Sequence, residues 1–316
     1  MISYYAKSEG KLTELSEPQE GCWINICPPF DRSELEETAS QLDVPLDFLT
    51  DPLDIDERSR YEREDDTRLI IVNTPYQNDN PTAGGNAVFI TIPIGIILTA
   101  DYLITIAPAE NPVLSRFLDN KVKNFDPQEH RLFVLQIFEQ NVLRFLTCLK
   151  QLNTKRNLIE RELYDSSRSK ELKSLLSIEK SFVFFVNSLS ANELLKMKMK
   201  RTDFLKINKD EELTDLFEDI IIDNSQASEM SKIYTEILNG TMDSYSSIVS
   251  NNLNIVIQRL TMITIILMVP TLVASFYGMN VPVPMENNPY AFIIILLIAV
   301  IVSLLVAWYF QRKRMF

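Results

Sequence analysis

Asn254, Ile257, Thr261, Thr264, Met268, Thr271, Ser275 and Gly278 recur at alternating steps of three and four. That spacing lays all eight along one face of a helix. Five of the eight are Asn, Thr or Ser, whose neutral oxygens accept hydrogen bonds without carrying charge. Two chemistries suit such a stripe. Small hydroxyl residues join helices inside a bilayer, and the same oxygens can line a watery path for ions. Two helices cannot enclose a path, so the second reading requires several copies of the chain around an axis. Ile257, Met268 and the adjacent Leu260 would then form apolar constrictions that close by dewetting.

A second group lies far upstream. Residues 31–66 hold 14 Asp or Glu against 4 Arg. Most such runs are solvated faces, and a minority carry carboxylates that bind metal.

Composition narrows the remaining chemistry. Over 316 residues the net charge is −12, which argues against nucleic acid and makes cations the natural partners. His130 is the single histidine, and Cys22 and Cys27 are not spaced as a ligand knuckle, so no zinc site is expected. His130 itself is expected on a helix surface. No Ser/His or Cys/His constellation stands out, and no Gly-rich loop with a lysine is present, so neither an enzyme nor a nucleotide-driven machine is expected. Cys22, Cys27 and Cys148 form no paired framework, and the first twenty residues hold no sustained apolar core. A reduced, cytosolic N-terminal region follows.

The elements that must position these groups are uneven in character. Mean hydropathy is near zero only because two apolar runs at the C-terminal end offset a charged remainder. Leu260–Tyr277 is 18 residues without a charge, and Ala291–Phe310 is 20 residues in which only Ser303 is neither apolar nor aromatic. At about 1.5 Å per residue each can cross a bilayer core of about 30 Å, the first only just. Trp308 and Tyr309 lead into Arg312, Lys313 and Arg314, an aromatic belt followed by a positive flank. The C-terminus is therefore expected in the cytosol, and two spans return the large N-terminal region to the same side.

Ahead of the membrane, Cys22–Cys27, Leu69–Tyr76 and Ala87–Ala107 are rich in β-branched residues and read as strands and hairpins. Between the first two, Ser33 and Glu36 form a capping box that opens a helix. Downstream of Pro127 the pattern is helical, with no glycine except Gly240 and no proline until Pro270. The spacing predicts an antiparallel helix pair, about 128–165 and 169–202. A very long helix then runs from about Glu212 into the membrane, roughly 100 Å if unbroken to Tyr277. The expected fold class is an α+β membrane protein. It comprises a cytosolic α/β domain (1–126), a helical stalk domain (127–259), a pore-lining membrane helix (260–279), an outer loop (280–290), a second membrane helix (291–310) and a basic cytosolic tail (311–316).

The first span ends in Tyr277-Gly278-Met279-Asn280, just ahead of a short loop and a last span. A Gly-Met-Asn triplet in that place resembles the signature of the CorA family of magnesium transporters. Trp23-Ile24-Asn25-Ile26, the segment Leu49–Tyr61 and Ser250-Asn251-Asn252-Leu253-Asn254 extend the resemblance over essentially the whole chain. The resemblance implies a homopentameric funnel in the cell membrane, first spans inside and second spans outside. It implies passive influx of Mg²⁺, with Co²⁺ and Ni²⁺ as passengers. Gly278, Met279 and Asn280 become the selectivity filter, whose amide oxygens greet an ion still wearing its water, with Gly278 letting the backbone approach the axis. Asn254 matches an inner polar ring, Ile257, Leu260 and Met268 match constrictions, and Thr271 matches a further polar ring. Asp51, Asp219 and Asp223 match acids that bind regulatory Mg²⁺ between neighbouring subunits, so cytosolic Mg²⁺ would hold the closed form. Mg²⁺ is thus both cargo and regulator, with no organic cofactor.

One segment departs from the family pattern. Where many members carry Met-Pro-Glu-Leu, this chain has Val281-Pro282-Val283-Pro284-Met285-Glu286-Asn287, leaving Glu286 as the single outer acid. Two other readings compete: zinc movement by a related branch, and a membrane-anchored sensor or scaffold whose spans only dimerise.

Overall fold

The computed structural model describes residues 1–8, 11–79, 86–165, 169–280, 284 and 289–313. Glu286 and Arg314 lie outside the described residues. The chain divides into two compact units, Met1–Gly240 and Thr241–Phe316.

The first unit is built on a seven-stranded sheet. Its strands are β1 (Ile2–Ser8), β2 (Lys11–Leu15), β3 (Trp23–Ile26), β4 (Arg60–Glu64), β5 (Thr67–Gln77), β6 (Phe89–Leu98) and β7 (Leu103–Ile106). They lie in the order β2-β1-β3-β7-β6-β5-β4, and every neighbouring pair is antiparallel except β3 with β7. Both faces of the central strands are covered, so β6 is buried along its whole length, Thr91 included. Ile70, Val72, Ile94 and Ile96 face a helical layer, and Leu69, Ile71, Ile97 and Ile104 face the opposite side with α1 (Arg32–Gln41) and α2 (Leu46–Thr50).

Trp23 anchors the helical side. Its ring packs against Phe117, Phe125 and Phe133 at centroid distances of 6.3, 6.0 and 5.2 Å, and its Nε1 donates to Thr105 Oγ1 at 2.7 Å. Phe117 comes from α3 (Pro112–Leu118) and Phe133 from α4 (His130–Asp165). α5 (Ser169–Thr202) and the start of α6 (Glu211–Tyr277) complete this layer. The pair predicted near 128–165 and 169–202 is thus α4 and α5. α4 is long and apolar enough to cross a membrane, but 67% of its most apolar window is buried inside the protein, so its hydrophobicity serves the core.

Three details correct the sequence reading. α1 is capped by Asp31, whose carboxylate accepts from Glu34 N at 2.9 Å; Ser33 does not cap but donates its hydroxyl to the same carboxylate at 2.6 Å. His130 is half-buried at the start of α4 rather than exposed, and burial holds its pKa below the usual imidazole value. The sequence reading does not give strands β1, β2 and β4: β1 pairs with β2 and β4 with β5 between close neighbours in the chain, Ser8 with Lys11 and Glu64 with Thr67, but Lys11–Leu15 and Arg60–Glu64 lack the β-branched runs that mark a strand.

In the second unit, α6 runs through Pro270 without interruption, and α7 (Ala291–Arg312) follows. The most apolar windows of both helices are only 6% buried. They are long and apolar enough to cross a bilayer.

Candidate functional site

Within the second unit, burial marks one line on each helix. On α6 it runs through Met262, Ile266, Val269 and Val273, with Met262 only 3% exposed. On α7 it runs through Ile295, Ala299, Ser303 and Val306, with Ala299 at 4%. These shielded lines are the best-covered faces of the two helices.

The polar stripe lies elsewhere. Asn254, Ile257, Leu260, Thr261, Thr264, Met268, Thr271 and Ser275 are all exposed, Leu260 and Met268 at 64% and 63%. At about 100° per residue the stripe is centred roughly 150° around α6 from the shielded line. The face bearing the hydroxyls is therefore left open, away from the helix's shielded line. Helix glue within the chain does not account for it.

The threonines hold their own protons. Thr261, Thr264 and Thr271 donate their hydroxyls to the carbonyls of Ile257, Leu260 and Leu267 at 2.9, 2.9 and 3.0 Å. Each hydroxyl oxygen is then left with lone pairs and no proton to offer. Such a surface accepts hydrogen bonds, as the outward-pointing waters of a hydrated cation require.

At the outer end α6 stops at Tyr277. Gly278 N still bonds the Ala274 carbonyl at 3.0 Å, Met279 N reaches Phe276 O at 3.4 Å, and Asn280 is exposed. Gly278 does not have a positive φ, and a Cβ built on it would meet only Ala274 O at 3.4 Å and Ser275 O at 3.6 Å. The local turn therefore does not itself demand glycine.

The acids of the first unit are positioned differently. Asp51 opens a 3₁₀ turn, Asp51–Leu53, directly after α2. Arg60 Nη2 lies 2.6 Å from Asp51 Oδ2; the same guanidinium bonds Glu57 and lies 3.5 Å from Glu62. A buried amide network holds this segment in place. Asn73 of β5 donates its Nδ2 to Glu57 O and Ser59 Oγ, Ser59 donates to Asn192 Oδ1 of α5 at 2.7 Å, and Asn192 Nδ2 donates back to Asn73 O at 2.8 Å. Asn192 is wholly buried, so a lost partner would leave a desolvated amide.

Asp219 and Asp223 stand exposed one turn apart on α6. Among the described residues no bond joins them to Asp51, and no group of three or more His, Cys, Asp or Glu could hold a metal. Sequence reasoning missed Arg60, Asn73 and Asn192. The lone Arg-X-Arg within an acid-rich run was the available signal for the first, and nothing local marks the two asparagines.

Comparisons with known proteins agree with this architecture. The family model described as CorA-like Mg²⁺ transporter protein matches residues 18–313. The chain is 27% identical over 311 residues to the cobalt/magnesium transport protein CorA of Methanocaldococcus jannaschii, covering 96% of this chain and 95% of that one. It is 28% identical over 106 residues to the protein of the same description from Thermotoga maritima, 33% of this chain and 30% of that one. The complete structure of the CorA magnesium transporter from M. jannaschii matches with a TM-score of 0.84 at 24% identity, covering 99% of this chain and 98% of that one. The chain thus belongs to the CorA-like Mg²⁺ transporter family, membrane transporters of divalent cations.

Proposed function

We propose that this chain conducts Mg²⁺ passively into the cytosol, with Co²⁺ and Ni²⁺ as passengers, through a homopentamer in the cell membrane. Its N- and C-termini lie in the cytosol. The observation that carries this reading is the exposed polar stripe of α6, turned roughly 150° from that helix's own shielded line. Turned to lipid, these oxygens and the Asn and Ser side chains would leave acceptor lone pairs unmet, whereas several copies arranged with this face inward enclose them in water. α7, oily around its circumference, then takes the lipid side.

In this arrangement Asn280, with Gly278 and Met279, forms the outer filter. Mg²⁺ binds six oxygens at about 2.1 Å and parts with water reluctantly. Neutral amide oxygens hold the hydrated ion by its waters and release it again, which a ring of carboxylates would not. Thr261, Thr264, Thr271 and Ser275 continue the acceptor surface inward to Asn254. Ile257, Leu260 and Met268 form the dewetting constrictions. The small size of Gly278 serves the crowding of copies at the axis.

Asp51, Asp219 and Asp223 act between neighbouring subunits as the cytosolic Mg²⁺ sensor. Facing carboxylates repel until a divalent cation sits between them, so high internal Mg²⁺ holds the closed form and its loss releases it. Glu286 draws cations to the outer mouth. Asn280→Ala tests the reading in proteoliposomes with a defined Mg²⁺ gradient. Uptake is expected to fall by at least about tenfold, equivalent to about 1.4 kcal/mol; uptake at the wild-type rate would refute the filter.

A further inference from the structure

Lys196 of α5 is wholly shielded, at 0% exposure. Its Nζ donates to Asn224 Oδ1 of α6 at 2.7 Å and sits 5.5 Å from the centre of the Phe138 ring of α4. Asn224 is equally buried and is held by its own Nδ2, which donates to the Leu189 carbonyl of α5 at 3.0 Å. One amine therefore stitches three helices together.

A buried ammonium has three donors and needs a counter-charge. Here it has one amide oxygen and one ring face. The buried faces around it carry no charge: α6 presents Ile220, Asn224 and Ala227, and α4 presents Phe138 and Val142. On α5, Glu193 is half-buried and is the charge that favours the ammonium. Of the other charged groups nearby, Lys200, Glu218 and Asp223 are exposed and Glu139 is half-buried. Lys200 bonds Glu218 of α6 at 2.5 Å, Asp223 is exposed, and Glu139 of α4 accepts from Gln140 at 3.3 Å.

We propose that Lys196 is a proton-sensitive latch on α6, closed against α5 while its amine is neutral and loosened when acid makes it charged. Burial lowers its pKa from 10.5 to about 7. Opening the seam to water restores the higher value. Between the two, the open form binds a proton that the closed form lacks, so acid favours opening; below about 7 both forms are charged and the dependence ends. On these values the opening constant rises about fivefold from pH 8 to pH 7, and by less than about twofold from pH 7 to pH 6. Because α6 also bears the polar stripe, the latch offers cytosolic pH a hold on transport. That consequence rests on the proposed function; the latch does not.

Hydrogen exchange on the full chain in lipid nanodiscs, corrected for intrinsic amide rates, tests it between pH 6 and pH 9. Protection of residues 217–231 is expected to drop about fivefold from pH 8 to pH 7 and to level off below pH 7. Lys196→Met is expected to abolish that dependence and leave β5 amides unchanged. Constant protection of the wild-type segment across this range would overturn the latch without any variant, as would an unaltered slope in Lys196→Met. Neither outcome depends on whether Asn280→Ala transports, so failure of the filter and failure of the latch are separable.

Discussion

Arg60 Nη2 and Asp51 Oδ2 are 2.6 Å apart, and the same guanidinium also serves Glu57 and Glu62. A tethered cation thus occupies the carboxylate proposed for the Mg²⁺ sensor. Both side chains are about one-third exposed, at 33% and 36%, where an ion pair is worth under about 1 kcal/mol. A divalent ion can displace so weak a partner. Arg60→Ala removes the competitor, and internal Mg²⁺ is expected to inhibit at a concentration about threefold to fivefold lower, the equivalent of about 1 kcal/mol. Flux against internal Mg²⁺ in proteoliposomes checks this; an unshifted curve removes Arg60 from the sensor.

Gly95 supports the same turn from below. A Cβ there would lie 2.4 Å from Pro52 Cγ and 2.8 Å from Ile106 Cγ2, so the turn that begins at Asp51 would have to move. Gly95→Ala is expected to cost about 1–3 kcal/mol of stability by overpacking. It should also blunt inhibition by Mg²⁺. Thermal unfolding and the flux curve measure the two effects, and a variant as stable as wild type would contradict the close approach.

Thr261→Val with Thr264→Val keeps shape while deleting two acceptor oxygens of the stripe. Each hydroxyl proton is spent on the helix's own backbone, so folding is expected to survive. Mg²⁺ flux should fall severalfold. Wild-type flux with normal expression would mean that these oxygens do not meet the ion.

A ring of subunits makes a geometric demand that one chain cannot satisfy alone. Ser275→Cys, on the exposed stripe, is expected to cross-link into dimers at the axis, whereas Ala299→Cys, on the shielded line of α7, is not. Lysine-directed cross-linking of the membrane-embedded protein should yield a ladder ending at five. A ladder ending at two would favour a dimerised anchor.

Helix boundaries were legible because period and punctuation are local properties. Between Pro127 and Pro270 the single glycine, Gly240, does not stop α6, and the end of α4 at Asp165 and the start of α5 at Ser169 fall where apolar spacing lapses. The cap of α1 was misassigned by two residues because Asp31 and Ser33 are both competent acceptors, and only the backbone path selects Asp31. His130 was misplaced for a related reason: a single polar letter carries no information about what packs beside it.

Unaided, the order of letters determined the two bilayer-length runs, the polar stripe and the Gly-Met-Asn triplet at its outer end, since each is a matter of neighbours three, four or one position apart. Only the tertiary structure decided that Met262 and Ala299 are shielded while the stripe stays exposed, that Arg60 sits on Asp51, and that Lys196 is sealed beneath Asn224. Those relations join residues 9, 28 or more than 30 positions apart, and which side chains meet across such distances is set by packing of whole elements rather than by local spacing.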